Sequence, residues 1–312
     1  MAKDGLTAHR IGWVGAGRMG YAMAHRLLDA GCDVAVWNRT RDKAVPLEKE
    51  GARIVDTPAD LAGCDIVFTV LAGSKDFVAV ATGKDGVLAA KGKAPRILVD
   101  CTTVSAESSA EVRAAAKKAG TEFLAAPVSG NAKVVKAGRL TFAVSGPRAA
   151  FESVRPYFDA LGNGASYVGD GELARIVKIC HNVHLGVVIQ SLAEITVLAE
   201  KSGVPRHAFL EFFNKSVMGS TFTRYKSPAL VNLDYTMTFS PDLLRKDLDL
   251  GLAQARALDV PMTVAAVTRE IVQSLIGNGY GEQDFASLLT MEAKAANLDL
   301  EPENVKVNDG LS

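Results

Sequence analysis

The sequence lacks an excess of either charge. Its 35 lysines and arginines are matched by 35 aspartates and glutamates among 312 residues, which excludes the strongly basic footprint of a nucleic-acid-binding surface. Cysteine is also scarce. Cys32, Cys64, Cys101 and Cys180 stand far apart, with no C-x-x-C pair and no metal-type spacing, so the pattern argues against a disulfide framework or a zinc site. Most lie in apolar runs and read as buried free thiols of a reducing compartment. The first ten residues, MAKDGLTAHR, lack the apolar core of a secretory signal. No apolar run is expected to span a membrane, because the helical stretch near 172–201 is interrupted by Lys178, His181, Gln190 and Glu194. These absences lead to the expectation of a cytoplasmic protein with no nucleic-acid and no membrane partner. Internal repeats and low-complexity tracts are absent as well.

What is present is a globular composition, 48% hydrophobic and 22% charged, long enough for a large core. Short β-branched runs predict strands at 10–14, 33–37, 65–70, 96–100 and 122–126, with further extended pieces at 140–145 and 166–168. Helical patterns at 18–30 and 105–119, closed by Gly31 and Gly120, alternate with them. Such alternation predicts a mainly parallel sheet built from βαβ units. After Gly171 the strand signals stop. A long helix is followed by others opening near Pro205, at Ser240-Pro241-Asp242, at Pro261 and over 284–297. The fold class is therefore α/β: an amino-terminal Rossmann domain, residues 1–169, joined by the long helix to an all-α domain, residues 170–312. The polar end EPENVKVNDGLS reads as frayed.

Gly15-Ala16-Gly17-Arg18-Met19-Gly20 is a G-x-G-x-x-G run between the first strand and the first helix. In that setting Gly15 permits the tight turn, Gly17 lets the backbone approach a pyrophosphate, and Gly20 lets the helix pack close to the sheet. The phosphates would face the positive end of the helix. A dinucleotide site follows, with Arg18 and Met19 inside it. Its kind is read at the end of the second strand. A carboxylate there would bind the ribose 2′-hydroxyl of NAD, but the sequence has Trp37-Asn38-Arg39-Thr40. Asn38 and Thr40 offer hydrogen bonds, and Arg39 offers a cation for a 2′-phosphate. NADP is favoured, with NAD possible. Leu71-Ala72 and Thr102-Thr103, after the strands at 65–70 and 96–100, supply the remaining cofactor wall.

Four segments together resemble the β-hydroxyacid dehydrogenase family, which includes 3-hydroxyisobutyrate dehydrogenase and tartronate semialdehyde reductase. They are the glycine run, Asp100-Cys101-Thr102-Thr103, Ala126-Pro127-Val128-Ser129-Gly130, and Gly169 through Asn182; a later Lys246-Asp247 pair also matches. The resemblance implies that Lys178 is the catalytic acid/base. It implies that Ser129, Gly130 and the residue after them, here Asn131, grip a substrate carboxylate, and that Asn182 orients the substrate. Thr103 and Lys246 would lie against the nicotinamide end of the cofactor. Two positions depart from the family: Asn131 replaces a second glycine, and His181-Asn182 replaces paired asparagines. Ala72 stands where the family usually has proline. The family also implies a homodimer or homotetramer.

Lys178 and Asn182 are four residues apart, so one helix face presents both. In carbonyl reduction a protonated Lys178 would stabilise the developing oxyanion and donate a proton. Oxidation needs the neutral amine, so the site should lower its pKa by burial or by a neighbouring cation such as Lys246. His181 and His184 have helical spacing but no third ligand, and no metal is expected. Lys133, Lys136 and Arg139 near the substrate loop could attract a small anionic substrate, and Ser220, Arg224 and Lys226 are read as a polar loop of the helical half. The leading reading is an NADP(H)-preferring oxidoreductase acting on a small 3-hydroxy acid or its semialdehyde. The alternatives are an imine reductase of the same architecture, in which the lysine would usually be replaced, and a non-catalytic Rossmann-type binding protein.

Overall fold

The computed structural model describes residues 6–89 and 93–311. The chain divides into two compact units, one running through Lys178 and the other starting at Ile179. The break falls within a helix.

In the first unit the strands are β1 Ile11–Val14, β2 Val34–Trp37, β3 Arg53–Ile54, β4 Ile66–Thr69, β5 Ile97–Asp100, β6 Glu122–Ala125, β7 Val128–Ser129, β8 Leu140–Ser145 and β9 Gly162–Gly169. They form one sheet in the order β3-β2-β1-β4-β5-β6-β8-β7, with β9 paired to β8. From β3 to β6 every pairing is parallel, in the order of a dinucleotide-binding sheet. The antiparallel β6–β8 and β7–β8 pairings close the far side. Strands β3 and β7 were not anticipated, since a two-residue strand has no alternation to read.

Both faces of this sheet are apolar. Ile11, Trp13, Val34, Val36, Ile66, Phe68, Ile97 and Val99 pack on one side, while Val14, Ala35, Val67 and Leu98 pack on the other. Successive side chains point to opposite faces, so a strand covered by helices on both sides must be apolar throughout. The first face is covered by α1 Arg18–Asp29, α5 Ala132–Lys136 and α6 Arg148–Leu161, the second by α3 Ser74–Thr82 and α4 Ala106–Lys118. A short α2, Val45–Glu48, lies between β2 and β3.

Helix α7, Leu173–Lys201, begins in the first unit and continues into the second. By length and composition it is apolar enough to cross a membrane, which the sequence reading had denied. Half of its apolar window is buried inside the protein. Ile179, Val183, Ile189, Leu192, Ala193 and Val197 join the core of the second unit. That unit adds α8 Arg206–Lys215, α9 Thr221–Asn232, α10 Pro241–Ala257, α11 Thr263–Leu275 and α12 Leu288–Ala295.

Helix α9 corrects the reading of 220–226 as a loop. Ser220 caps it, exchanging hydrogen bonds with Thr223, and Pro228 within it disguised the helical pattern. Arg224 donates to the Asn214 carbonyl at 2.9 Å, and Lys226 is buried against Asp284. These residues hold the bundle together. The carboxyl-terminal segment packs on the core as far as Val307, contrary to expectation. Leu298, Leu300, Val305 and Val307 pack on the core, and Asn232 exchanges hydrogen bonds with Val305 at 2.9 and 3.1 Å. The Glu303 carboxylate accepts from the Arg206 and His207 amides at 2.7 and 2.9 Å, an anion at the positive end of α8.

Burial pushes the Asp284 carboxyl up. The Lys226 ammonium and hydrogen bonds from Lys226, Thr238 and Ala286 outweigh that and hold it below the usual range. A depressed folded pKa contributes stability above the unfolded value and loses it as pH falls through the folded one. Asp284→Ala, which strands the Lys226 charge, is expected to lower stability by about 3–5 kcal/mol at neutral pH. In urea unfolding the gap from the parent protein should narrow below about pH 4; a gap unchanged by acid would refute this account.

Candidate active site

The dinucleotide turn begins where β1 ends. Gly15 has φ +102°, and a Cβ there would stand 2.2 Å from the Val70 carbonyl oxygen. At Gly20 a Cβ would stand 2.1 Å from the Gly15 carbonyl oxygen. That oxygen accepts from the buried Trp13 Nε1 at 2.9 Å. Only glycine fits either place. Gly17 differs, since a Cβ there would meet nothing within 4 Å. It is the N-cap of α1, so it leaves open space in front of the helix's unsatisfied N–H groups, as a pyrophosphate requires. Arg18 and Met19 form the first turn behind it.

Asn38 braces this turn. Its Oδ1 accepts from the Ala16 amide at 2.8 Å and its Nδ2 donates to the Thr40 carbonyl at 2.7 Å. The side chain expected to meet the cofactor thus already serves the backbone. Thr40 is exposed and caps a single 3₁₀ turn. Arg39 carries the charge at this strand end, and its Nη1 lies 2.8 Å from Asp76 Oδ1.

At the ends of β4 and β5 the chain is cross-linked by hydrogen bonds. Leu71 N donates to Thr102 Oγ1 at 3.0 Å. Thr69 Oγ1 and Thr102 N donate to Asp100 Oδ1 at 2.5 and 3.1 Å. Thr102 is buried and joins the two strand ends, whereas Leu71 and Thr103 are half-buried and Ala72 is exposed. Beneath them lies Arg175, from the first turn of α7. Its Nη2 reaches Asp100 Oδ2 at 2.6 Å, its Nη1 the Thr102 carbonyl at 2.6 Å, and its Nε Ser109 Oγ at 3.1 Å. Arg175 is 1% and Asp100 0% exposed. Arg113 adds a second clamp on the same helix end, pairing with Glu172 at 2.6 Å and donating to the Gly171 carbonyl. Lys178 follows Arg175 by three residues on α7 and is half-buried.

Sequence reasoning missed Arg175, although the signal was present. A second cation in an apolar helix needs a buried carboxylate, and IleLeuValAsp at 97–100 offers one at a strand end.

Ser129 ends β7, Gly130 is exposed, and Asn131 caps α5. The Asn131 Oδ1 accepts from the Lys133 and Val134 amides at 3.0 and 3.1 Å. That oxygen is committed to the helix start. Lys133, Lys136 and Arg139 are exposed. Burial pushes the Cys32 thiol up to about 11 and raises Cys64 and Cys101 as well, which argues against a thiolate nucleophile at those positions. Cys180 is exposed. Among the described residues no group of His, Cys, Asp and Glu is placed to hold a metal ion.

In the second unit Asn182 is buried and held at both ends of its amide. Nδ2 donates to Asp247 Oδ2 at 2.5 Å, and Oδ1 lies 2.9 Å from His181 Nδ1. This arrangement calls for the Nδ1–H tautomer of His181. Lys246 Nζ stands 3.1 Å from Asp247 Oδ1, a charge contact without hydrogen-bond alignment. His184 is exposed.

The two kinds of glycine should separate experimentally. Gly17→Ala is expected to leave the melting temperature nearly unchanged while weakening dinucleotide binding at least tenfold, roughly the effect of losing one close backbone approach. Gly20→Ala should lower the melting temperature, because its Cβ meets backbone. Calorimetry and nicotinamide fluorescence measure both, and equal effects at the two positions would count against the assignment.

Comparison with known proteins agrees with this geometry. Residues 10–169 match the NAD binding domain of 6-phosphogluconate dehydrogenase, and residues 172–291 match the NAD-binding model of NADP-dependent 3-hydroxyisobutyrate dehydrogenase. Glyoxylate/succinic semialdehyde reductase 2, chloroplastic, of Arabidopsis thaliana is 31% identical over 290 residues, covering 92% of this chain and 80% of that protein. The crystal structure of 3-hydroxyisobutyrate dehydrogenase from Salmonella typhimurium is 26% identical with TM-score 0.81, covering 90% of this chain and 99% of that one. An imine reductase from Pseudomonas sp., 20% identical with TM-score 0.62 over 90% of this chain and 98% of that one, shares the fold. The chain belongs to the 3-hydroxyisobutyrate dehydrogenase family of NAD(P)-binding hydroxyacid dehydrogenases and reductases.

Proposed function

We propose that the protein is an NADP(H)-preferring oxidoreductase that interconverts a small 3-hydroxy acid and its semialdehyde, with Lys178 as the general acid/base. The observation that carries this reading is the position of Lys178, one turn beyond an arginine fastened to the end of β5. The open face at Gly17 fits a pyrophosphate. Gly15 through Gly20 and the start of α1 would hold it, Arg39 would take the 2′-phosphate, and Leu71, Ala72, Thr102 and Thr103 would wall the nucleotide. When bound, the nicotinamide supplies or accepts the hydride.

The proton is the protein's part. In reduction, Lys178 Nζ carries a proton that first stabilises the negative charge growing on the carbonyl oxygen and is then donated to it. In oxidation the neutral Nζ takes the alcohol proton. Ser129 and Gly130 receive the substrate carboxylate, and the exposed cations Lys133, Lys136 and Arg139 favour a small anion near them. Asn182 orients the substrate with its amide held by Asp247 and His181. The helical unit exposes Leu198, Phe212, Val217, Met218, Leu258 and Val264, apolar surface that supports a homodimer or homotetramer.

Lys178→Ala is expected to lower kcat by about 10²–10⁴-fold while NADPH binding, followed by fluorescence, persists. Near-parental turnover would eliminate Lys178 from the mechanism. In the parent protein, oxidation should gain rate toward alkaline pH while reduction proceeds at neutral pH, because the two directions need opposite protonation states of one amine. A panel of 3-hydroxy acids and semialdehydes with both cofactors tests the rest; a clear advantage for NAD would overturn the role given to Arg39.

A further inference from the structure

We infer that Asp76 is a specificity-determining residue for the cofactor, acting as an internal stand-in for the 2′-phosphate. The inference rests on the proposed role of Arg39. In the sheet, β2 and β4 are the two neighbours of β1, and the glycine turn leaves the end of β1. Arg39 follows β2, and Asp76 lies in the first turn of α3, which follows β4. Their contact at 2.8 Å therefore spans two strand spacings, roughly 10 Å, across the end of the strand that carries the turn. That is the edge where the adenosine ribose of a bound dinucleotide is held.

The surroundings single out this pair. Both polar ends of the Asn38 amide are engaged with backbone, and Arg41, two residues on, pairs with Asp56 at 2.5 Å. Asp76 is also anchored, because the Ser105 amide donates to Ser74 Oγ at 3.1 Å and ties the start of α3 to the cap of α4. Arg39 is the more exposed partner, its side chain 78% exposed against 34% for Asp76. A carboxylate and a phosphate compete for the same guanidinium edge. NADP must displace Asp76 to engage Arg39, whereas NAD binds without disturbing the pair. The carboxylate consequently sets how strongly the protein prefers NADP, and the repulsion between Asp76 and the bound 2′-phosphate acts in the same direction.

Asp76 could instead serve only as an acidic partner of the α3 dipole, and a mutant cycle separates the two roles. Dissociation constants for NADPH and NADH are measured by nicotinamide fluorescence for the parent, Asp76→Asn, Arg39→Ala and the double variant. An exposed ion pair is weak, so Asp76→Asn should tighten NADPH about two- to fivefold and leave NADH unchanged. With Arg39→Ala the NADPH advantage should fall, and the gain from Asp76→Asn should vanish. A gain for both cofactors alike, no gain, or a gain that persists without Arg39 overturns the inference. If Arg39→Ala leaves NADPH binding intact, the NADP reading itself fails and this inference falls with it. A loss at Arg39 with a silent Asp76 overturns this inference alone. Melting temperatures of all four proteins report the helix-dipole effect, which would move stability without moving the NADPH/NADH ratio.

Discussion

The Arg175–Asp100 ion pair is the constraint on which the carboxyl end of the first unit's sheet depends. Two charges almost wholly out of water persist only when hydrogen bonds satisfy what the pair alone cannot. Here they do. Thr69, Thr102 N and Arg175 supply the carboxylate, while Asp100, the Thr102 carbonyl and Ser109 supply the guanidinium. Removing one partner of such a pair costs about 3–5 kcal/mol, far more than the exposed pair at Arg39 can contribute. One network therefore fixes the end of β5, the start of α4 and the rotation of α7 about its axis. A helix turned by one residue swings its side chains by about 100°, so the aim of Lys178 is decided three residues earlier.

The same logic explains how the cofactor turn and the Arg175 network come to share one sheet end. Parallel strands deliver all their carboxyl ends to one side, where the covering helices begin. The glycine turn, Arg39, Leu71, Ala72, Thr102 and Thr103 all follow such ends. Two of the polar side chains among them, Asn38 and Thr102, are braces between neighbouring strand ends. They keep the turn and the strand ends in register. They enforce the backbone shape on which a dinucleotide site depends.

Much of this was legible in the residues because short-range rules govern it. The glycine run specifies its own turn, and alternation of apolar strands with capped helices specifies the sheet. Position 17 reads as an approach point and positions 15 and 20 as steric needs, and the structure separates them the same way. What was not legible depends on distant partners or on disguise. Strands β3 and β7 are formed by pairing, not by pattern. Helix α9 hid behind Pro228, and the tail from Glu301 looked polar although it offers Val305 and Val307 to the core. Lys226 reads as part of a polar loop because its partner, Asp284, lies 58 residues away. Arg175 escaped for the same reason, since it acts across a long stretch of chain.

The departures from the family pattern also follow from local physics. Asn131, in place of glycine, provides a cap for α5, a gain in helix stability that a glycine would give only weakly. His181, in place of asparagine, offers a ring N–H to Asn182 and leaves that amide's other end for Asp247. Each substitution stiffens the residue beside it. A stiff amide adapts less readily than a loose one, because reorienting it would cost the buried Asp247 Oδ2 its hydrogen bond. Under the role proposed for Asn182, substrate choice is constrained as much by what holds its amide as by what the amide touches, and Asp247 holds it with the shorter hydrogen bond.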